Sequence, residues 1–523
     1  MRMLPFGPRA STRAHDPAPC VGARADARGP KHERFGGESG MTRWVRATLL
    51  ALLGLALAAA CTPQDTPTTS APPATSRDGR QGADALRAAA LRRFGGAYTE
   101  GPAAAYVERV GRNLVQANNL GANGWRFTVL SAPAANAFAT DYGDVFVTRG
   151  LLAVLQDEAE LASVLGHEMG HVLGRHATQR RAQEARVYQA ALEVARSTRD
   201  PQLALAFAEM ELANVRAYSR DQEFEADRIA VRLTTRAGYD SAAAARSLQR
   251  LQAYNLLQAR IQGLPPEIFE RQSMFATHPR TADRVEAARA EAGGTSGGRR
   301  EADAYLDAVT GMLYGDPPQE GFARGRRFMH PQLGFAFEAP QGYTLFNNPQ
   351  SVQARGPDNA QMMFACTARP PEGNMVDAMR RLFPSVPLIE ARTLNINGFE
   401  AATGVTPRSS TSGDVDGRVV TIRFPPGTCT FLLVSRAFGP PGRAQELFRA
   451  AQTFRRLGPN EAAQARPLRL TVVQVRPGDT AERLAARGPA DEGYRLERFL
   501  LLNGLRAGEP LTPGQRIKLV VPE

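Results

Sequence analysis

Apolar positions fall along the chain in blocks of different period. Residues 1–40 are rich in Arg, Gly, Pro and Asp and show no apolar periodicity, as expected of a non-native or disordered extension. From Met41 the text changes: Arg43 and Arg46 precede an uncharged run, Ala47–Ala60, too short to span a bilayer and suited to a signal peptide at 41–60. Pro, Thr and Ser then dominate 61–82, which reads as a flexible tether. Further on, Glu158, Leu161, Val164, Leu165 and Val172 recur at helical spacing. The block 83–300 closes on GGTSGGRR, and EADAYLDAVTGMLYG predicts one connecting helix in 301–326. From 327 to 458 the pattern is that of a small α+β domain, with strands near 360–367, 397–404, 417–424 and 428–436 and a closing helix at 444–457. The last block, 468–523, reads strand, two helices, strand. The fold class is therefore α+β and multidomain.

Composition narrows this picture. A chain of 523 residues holds about three domains at roughly 150 residues each. With 43% hydrophobic and 22% charged residues, disorder throughout is excluded. The net charge of +12 invites a nucleic-acid reading, but only Lys31 and Lys518 among the 64 basic residues are lysines, and no long run of like charge exists. No nucleic-acid partner is expected. Four cysteines are too few for a disulfide framework. Cys366 and Cys429 sit in strand-like runs of one domain, where they either pair or remain two buried thiols.

The chemistry concentrates in LASVLGHEMGHVLGRHA. On a helix His167 and His171 share a face and can hold one metal ion, while Glu168 is placed to take a proton from an attacking water. A third ligand is needed. His176 is one residue short of the position that would complete a His-x-x-Gly-x-x-His pattern, about 100° away around a helix. The other candidate is YSRDQEFEADRIA, where Glu223 and Asp227 share a helix face and Glu225 points elsewhere, toward solvent; alone, such a stretch reads as a charged helix face. Gly166, Gly170 and Gly174 lie among these residues and suggest close approach of a neighbouring helix.

Together these stretches resemble the HtpX/BepA-like gluzincin zinc metallopeptidases. His167, Glu168 and His171 match, as do Ser219-Arg220, Glu223 and Ala226-Asp227-Arg228. So do Asn136-Ala137-Phe138-Ala139, Gly143, VFVTRGLL at 145–152, AAYVERVGRNL at 104–114, and Thr277-His278-Pro279 followed by Asp283-Arg284. The resemblance covers about residues 83–295. It implies a mainly helical zincin domain with a small sheet, and one Zn2+ per chain held by His167, His171 and Glu223. Glu168 would then be the catalytic base, and Asp227 would stand behind a ligand histidine. His278, held extended before Pro279, is a second catalytic candidate: it either blocks the open metal position at rest, the favoured reading, or stabilises the oxyanion.

Two further resemblances complete the reading. Leu-Ala-Ala-Ala-Cys at Cys61 resembles a bacterial lipobox, although Ala58 stands where Leu is usual, and implies lipidation of Cys61. Gly478-Asp479-Thr480, Leu484-Ala485, Leu502-Asn503 and Pro513-Gly514-Gln515 resemble a LysM βααβ module, which implies binding of N-acetylglucosamine-containing peptidoglycan glycan. The 327–458 block weakly resembles small PsbP- and Mog-type domains. The expected protein is an endopeptidase of the cell envelope, periplasmic and lipid-anchored to the outer membrane, acting on unfolded or misassembled envelope proteins. The alternative is a glycan-tethered, chaperone-like binding lipoprotein, which would not need Glu168.

Overall fold

The computed structural model describes residues 77–121, 124–266, 281–293, 297–368, 370–406, 415–436, 440, 442–489 and 493–523. The apolar run 41–60, Cys61 and His278 lie outside the described residues. Helix α1, Arg77–Arg93, begins inside the stretch expected to be tether. Among the described residues no helix is long and apolar enough to cross a membrane.

The first unit wraps one buried helix. After α2, Ala103–Ala117, come strands β1, Arg126–Leu130, β2, Ala137–Ala139, and β3, Asp144–Thr148. They form a sheet in the order β1-β3-β2, with β1 and β3 parallel. Thr148 caps the short helix α3, Arg149–Val154. Asp157 caps α4, Glu158–Leu173, by accepting from the Glu160 amide at 2.8 Å. Glu158 and Glu160 place negative charge in its first turn, where the helix dipole favours it. Almost every side chain from Glu158 to Gly170 is buried, so α4 is the axis of the unit.

Helices α5, His176–Thr198, α6, Pro201–Arg236, α7, Ala243–Ile261, and α8, Thr281–Glu291, surround it. The close approach expected from the glycines holds at two of the three. A Cβ on Gly166 would lie 3.3 Å from Ala230 Cα, and one on Gly170 would lie 3.0 Å from the Ala226 carbonyl oxygen, so α4 and α6 pack backbone to backbone. Gly174 differs: it faces the His176 ring, not a neighbouring helix.

The expected connecting helix is shorter than 301–326. Helix α9 spans Ala302–Val309, and Gly311 at φ +80° turns the chain into β4, Leu313–Tyr314. This segment belongs to the first unit, because Tyr305, Val309, Met312 and Leu313 join the apolar core around α4. Strand β5, Phe322–Arg324, leads into the α+β unit.

There β6, Arg327–His330, β7, Phe335–Glu338, β8, Thr344–Asn348, β9, Ser351–Arg355, and β10, Gln361–Thr367, precede helix α10, Met375–Leu382. Strands β11, Ile389–Ile396, β12, Phe399–Val405, β13, Val415–Phe424, and β14, Gly427–Arg436, follow. The seven-stranded antiparallel sheet runs β11-β12-β13-β14-β10-β9-β8. Cys366 and Cys429 face each other across β10 and β14 and form a disulfide. Helix α11, Arg443–Gln452, ends earlier than expected, and β15, Arg455–Arg456, pairs with β7.

After α12, Pro459–Gln464, the last unit has the expected order: β16, Leu468–Gln474, α13, Ala481–Ala485, α14, Arg495–Asn503, and β17, Arg516–Pro522. It is not a free-standing bead. Strand β16 pairs with β4, and Leu470 and Leu502 enter the core around α4. Lys518 is fully buried and donates to the Ala153 and Leu155 carbonyls at 2.7 and 2.6 Å, just ahead of α4.

Candidate metal centre

Helix α4 supplies His167, Glu168 and His171, and α6 supplies Glu223 and Asp227. The close α4–α6 packing at Gly170 and Ala226 brings the two sets together. The Nε2 atoms of His167 and His171 lie 3.1 Å apart. Glu223 Oε2 is 3.4 Å from His167 Nε2, and Oε1 is 3.3 Å from His171 Nε2. One ligand atom from each of these three residues lies within 4.8 Å of the others, a group able to hold a metal ion.

The hydrogen bonds behind the rings test whether a cation suits this set. His167 Nδ1 is 2.9 Å from Asp227 Oδ1, and His171 Nδ1 is 2.9 Å from His176 Nδ1. With a proton on each Nδ1, both Nε2 lone pairs point at the same spot as the Glu223 carboxylate. Two imidazole nitrogens and one carboxylate are a donor set suited to a borderline metal such as zinc, with a position left open for water or substrate.

Arg284 completes the polar cluster. It is 3% exposed, and its Nε and Nη2 donate to Asp227 at 2.7 and 2.8 Å. Its Nη1 lies 3.0 Å from Glu223 Oε2. One buried cation thus compensates two buried carboxylates. Burial would raise the Asp227 carboxyl, but Arg284 and His167 hold it well below the usual carboxylate range. Burial would also lower His167, yet Asp227 and Glu223 outweigh it and push the ring up to about 10. For His176 burial wins over Glu225, and the ring is lowered.

Beside His167 and Glu168 a cleft opens whose empty space is about 610 Å³, open solvent included. Leu151, Val164, Leu248 and Leu251 give it an apolar wall, and Ser163 and Ser247 meet at 3.5 Å in its lining. Ala137 of edge strand β2 lies on the same cleft.

The structure therefore brings His167, His171 and Glu223 together, sets Asp227 behind His167, and puts Glu168 on the cleft. Sequence reasoning missed two contributors. Arg284 stood in a quoted motif with no role attached. His176 was weighed only as a ligand, whereas it stands behind one. Glu225, expected to point away into solvent, is half-exposed but has Oε2 3.4 Å from His176 Nε2.

A histidine pair one helical turn apart, an adjoining glutamate and a carboxylate from a second helix form a group able to hold a metal ion beside an acid–base side chain. Residues 103–292 match the sequence profile of Peptidase family M48, whose members depend on a metal, usually zinc, and residues 473–520 match that of the LysM domain. Relatives include the beta-barrel assembly-enhancing protease of Escherichia coli, 31% identical over 35% of this chain and 38% of that protein. The mitochondrial metalloendopeptidase OMA1 of Schizosaccharomyces pombe is 30% identical over 29% of this chain and 45% of that one. The chain thus spans less than half the length of these relatives. A solution structure of PsbP from Synechocystis covers 27% of this chain and 98% of its own at 15% identity, with a TM-score of 0.21, too slight a likeness to carry an argument.

Proposed function

We propose that the chain is a zinc-dependent endopeptidase of the bacterial cell envelope that degrades misfolded or misassembled outer-membrane and periplasmic proteins. The observation that carries this reading is the convergence of His167, His171 and Glu223 on one point, with Glu168 beside it on an open cleft. The relatives named as proteases and metalloendopeptidases support it. One zinc ion per chain, held by those three side chains, would polarise the scissile carbonyl and make a water more acidic. Glu168 would orient that water, take its proton and pass it to the leaving amine. Arg284 and Asp227 would keep Glu223 and His167 in place. The apolar wall of Leu151, Val164, Leu248 and Leu251 would seat a substrate side chain that folded proteins bury.

The remaining parts of the proposal concern place and control. A lipid on Cys61 would anchor the mature chain to the outer membrane, and the LysM domain would bind peptidoglycan glycan. Mass spectrometry of the mature N-terminal peptide tests the first: an unmodified amine upstream of residue 61 overturns it. His278 would block the resting site, so His278→Ala should raise basal activity; a lower rate would assign it to the oxyanion instead.

The deciding assay compares wild type with Glu168→Gln and Glu223→Ala on an unfolded protein substrate, alongside zinc content. Glu168→Gln should keep zinc and lose turnover, and Glu223→Ala should lose both. Wild type that suppresses aggregation of the substrate without cutting it would favour the binding-protein alternative.

A further inference from the structure

Of the two proposed histidine ligands, His167 is backed by a carboxylate, Asp227 at 2.9 Å. Behind His171 stands another histidine. We propose that His176 is a positioning residue that fixes the tautomer and orientation of His171 from behind.

The hydrogen bonds leave one self-consistent proton arrangement. His171 Nε2 must present a lone pair to the metal, so its proton sits on Nδ1. That proton is donated to His176 Nδ1 at 2.9 Å. His176 then accepts at Nδ1, so its own proton sits on Nε2, which makes no hydrogen bond among the described residues although Glu225 Oε2 lies 3.4 Å away. The sequence of groups is metal position, His171, His176. It is the arrangement at His167 with an imidazole in place of the carboxylate.

The local backbone is shaped for this. Helix α4 ends at Leu173, and Arg175 takes the left-handed region at φ +51° before α5 restarts at His176. A non-glycine residue is strained there, and the reversal folds the His176 ring back under α4. A Cβ on Gly174 would lie 2.3 Å from His176 Nε2, so the ring occupies space that only glycine leaves. His176 ends 2% exposed, and Gln222 of α6 reaches its carbonyl at 3.4 Å. Burying an imidazole at a helix start by way of a left-handed arginine gains little as packing alone. It gains an oriented partner for His171.

The inference rests on the proposed ligand set, which Glu223→Ala tests separately. In the full chain, zinc affinity is measured by chelator competition, with the visible spectrum of the cobalt-substituted protein as a second readout. His176→Ala should weaken zinc binding about 10- to 100-fold, shift the cobalt spectrum, and lower kcat with KM little changed. His176→Asn, whose amide oxygen can accept from His171 Nδ1, should recover most of the affinity. Gly174→Ala keeps the imidazole but displaces it, and should behave like His176→Ala. Zinc affinity and cobalt spectrum unchanged in His176→Ala overturn the proposal, as does failure of His176→Asn to recover affinity. If His176→Ala does not fold, His176→Asn and Gly174→Ala decide: wild-type-like His176→Asn with a weakened Gly174→Ala supports the proposal, and any other pair of results overturns it. Retention of zinc by Glu223→Ala would instead overturn the ligand set.

Discussion

The molecule has two interiors built on opposite principles. Around the metal centre, six polar side chains (His167, His171, His176, Glu223, Asp227 and Arg284) pack against one another, and the helices carrying them touch through glycine and alanine. In the α+β unit the core is a cluster of phenylalanines: Phe335, Phe337, Phe364, Phe431 and Phe454 have neighbouring ring centroids 4.6 to 6.3 Å apart. The aromatic interior is stabilised by area and shape, and each ring can be lost with a graded penalty. The polar interior stands only while every charge keeps its partner. Small residues at the α4–α6 contact are what allow charges on both helices to reach one point.

The sharpest way to break this contrast is Arg284→Ala. It strands the Asp227 and Glu223 carboxylates in a buried site, so the metal-free protein should lose about 3–5 kcal/mol. Denaturant unfolding with and without a chelator measures this, and zinc affinity should fall as well. A loss under 1 kcal/mol would mean the cluster relaxes into water. Next comes Phe431→Ala, which leaves a cavity among rings and should cost about 3 kcal/mol. Zinc content and kcat should not move; if they do, the two interiors are coupled.

The smallest effect is a pH dependence at Lys518, a buried cation where the LysM unit meets the first unit. Burial lowers its pKa to about 7. Between pH 7 and the unfolded value near 10.4, the unfolded chain binds more protons than the folded one, so stability should rise with pH across that window. Lys518→Met should flatten the rise between pH 7 and 9 in thermal melts. An equal slope in both proteins would show that Lys518 is charged throughout.

How far each interior was legible from sequence follows the same division. The His167-Glu168-x-x-His171 spacing declares itself because one helical turn converts spacing into geometry. Glu223 was readable only through family resemblance, since its helix begins far from the first in sequence. Arg284 and Asp227 are 57 positions apart, and no local pattern says that they meet. His176 was weighed only as a ligand and set aside, and no local pattern says that its ring meets His171 from behind. In the aromatic unit, strands β12, β13 and β14 were found by their apolar content. The edge strand β11, half polar and bulged near Glu390, was not. Lys518 offered a faint signal, being one of only two lysines.

The seating of Lys518 against Ala153 joins residues 365 positions apart. A chain made from its N-terminus onward therefore completes the two histidine-bearing turns of α4 long before the strand that braces their approach exists. Loop closure over that distance is slow relative to helix formation. The interval works as a delay line: the seat ahead of α4 is filled only once the C-terminal strand that carries Lys518 has been made.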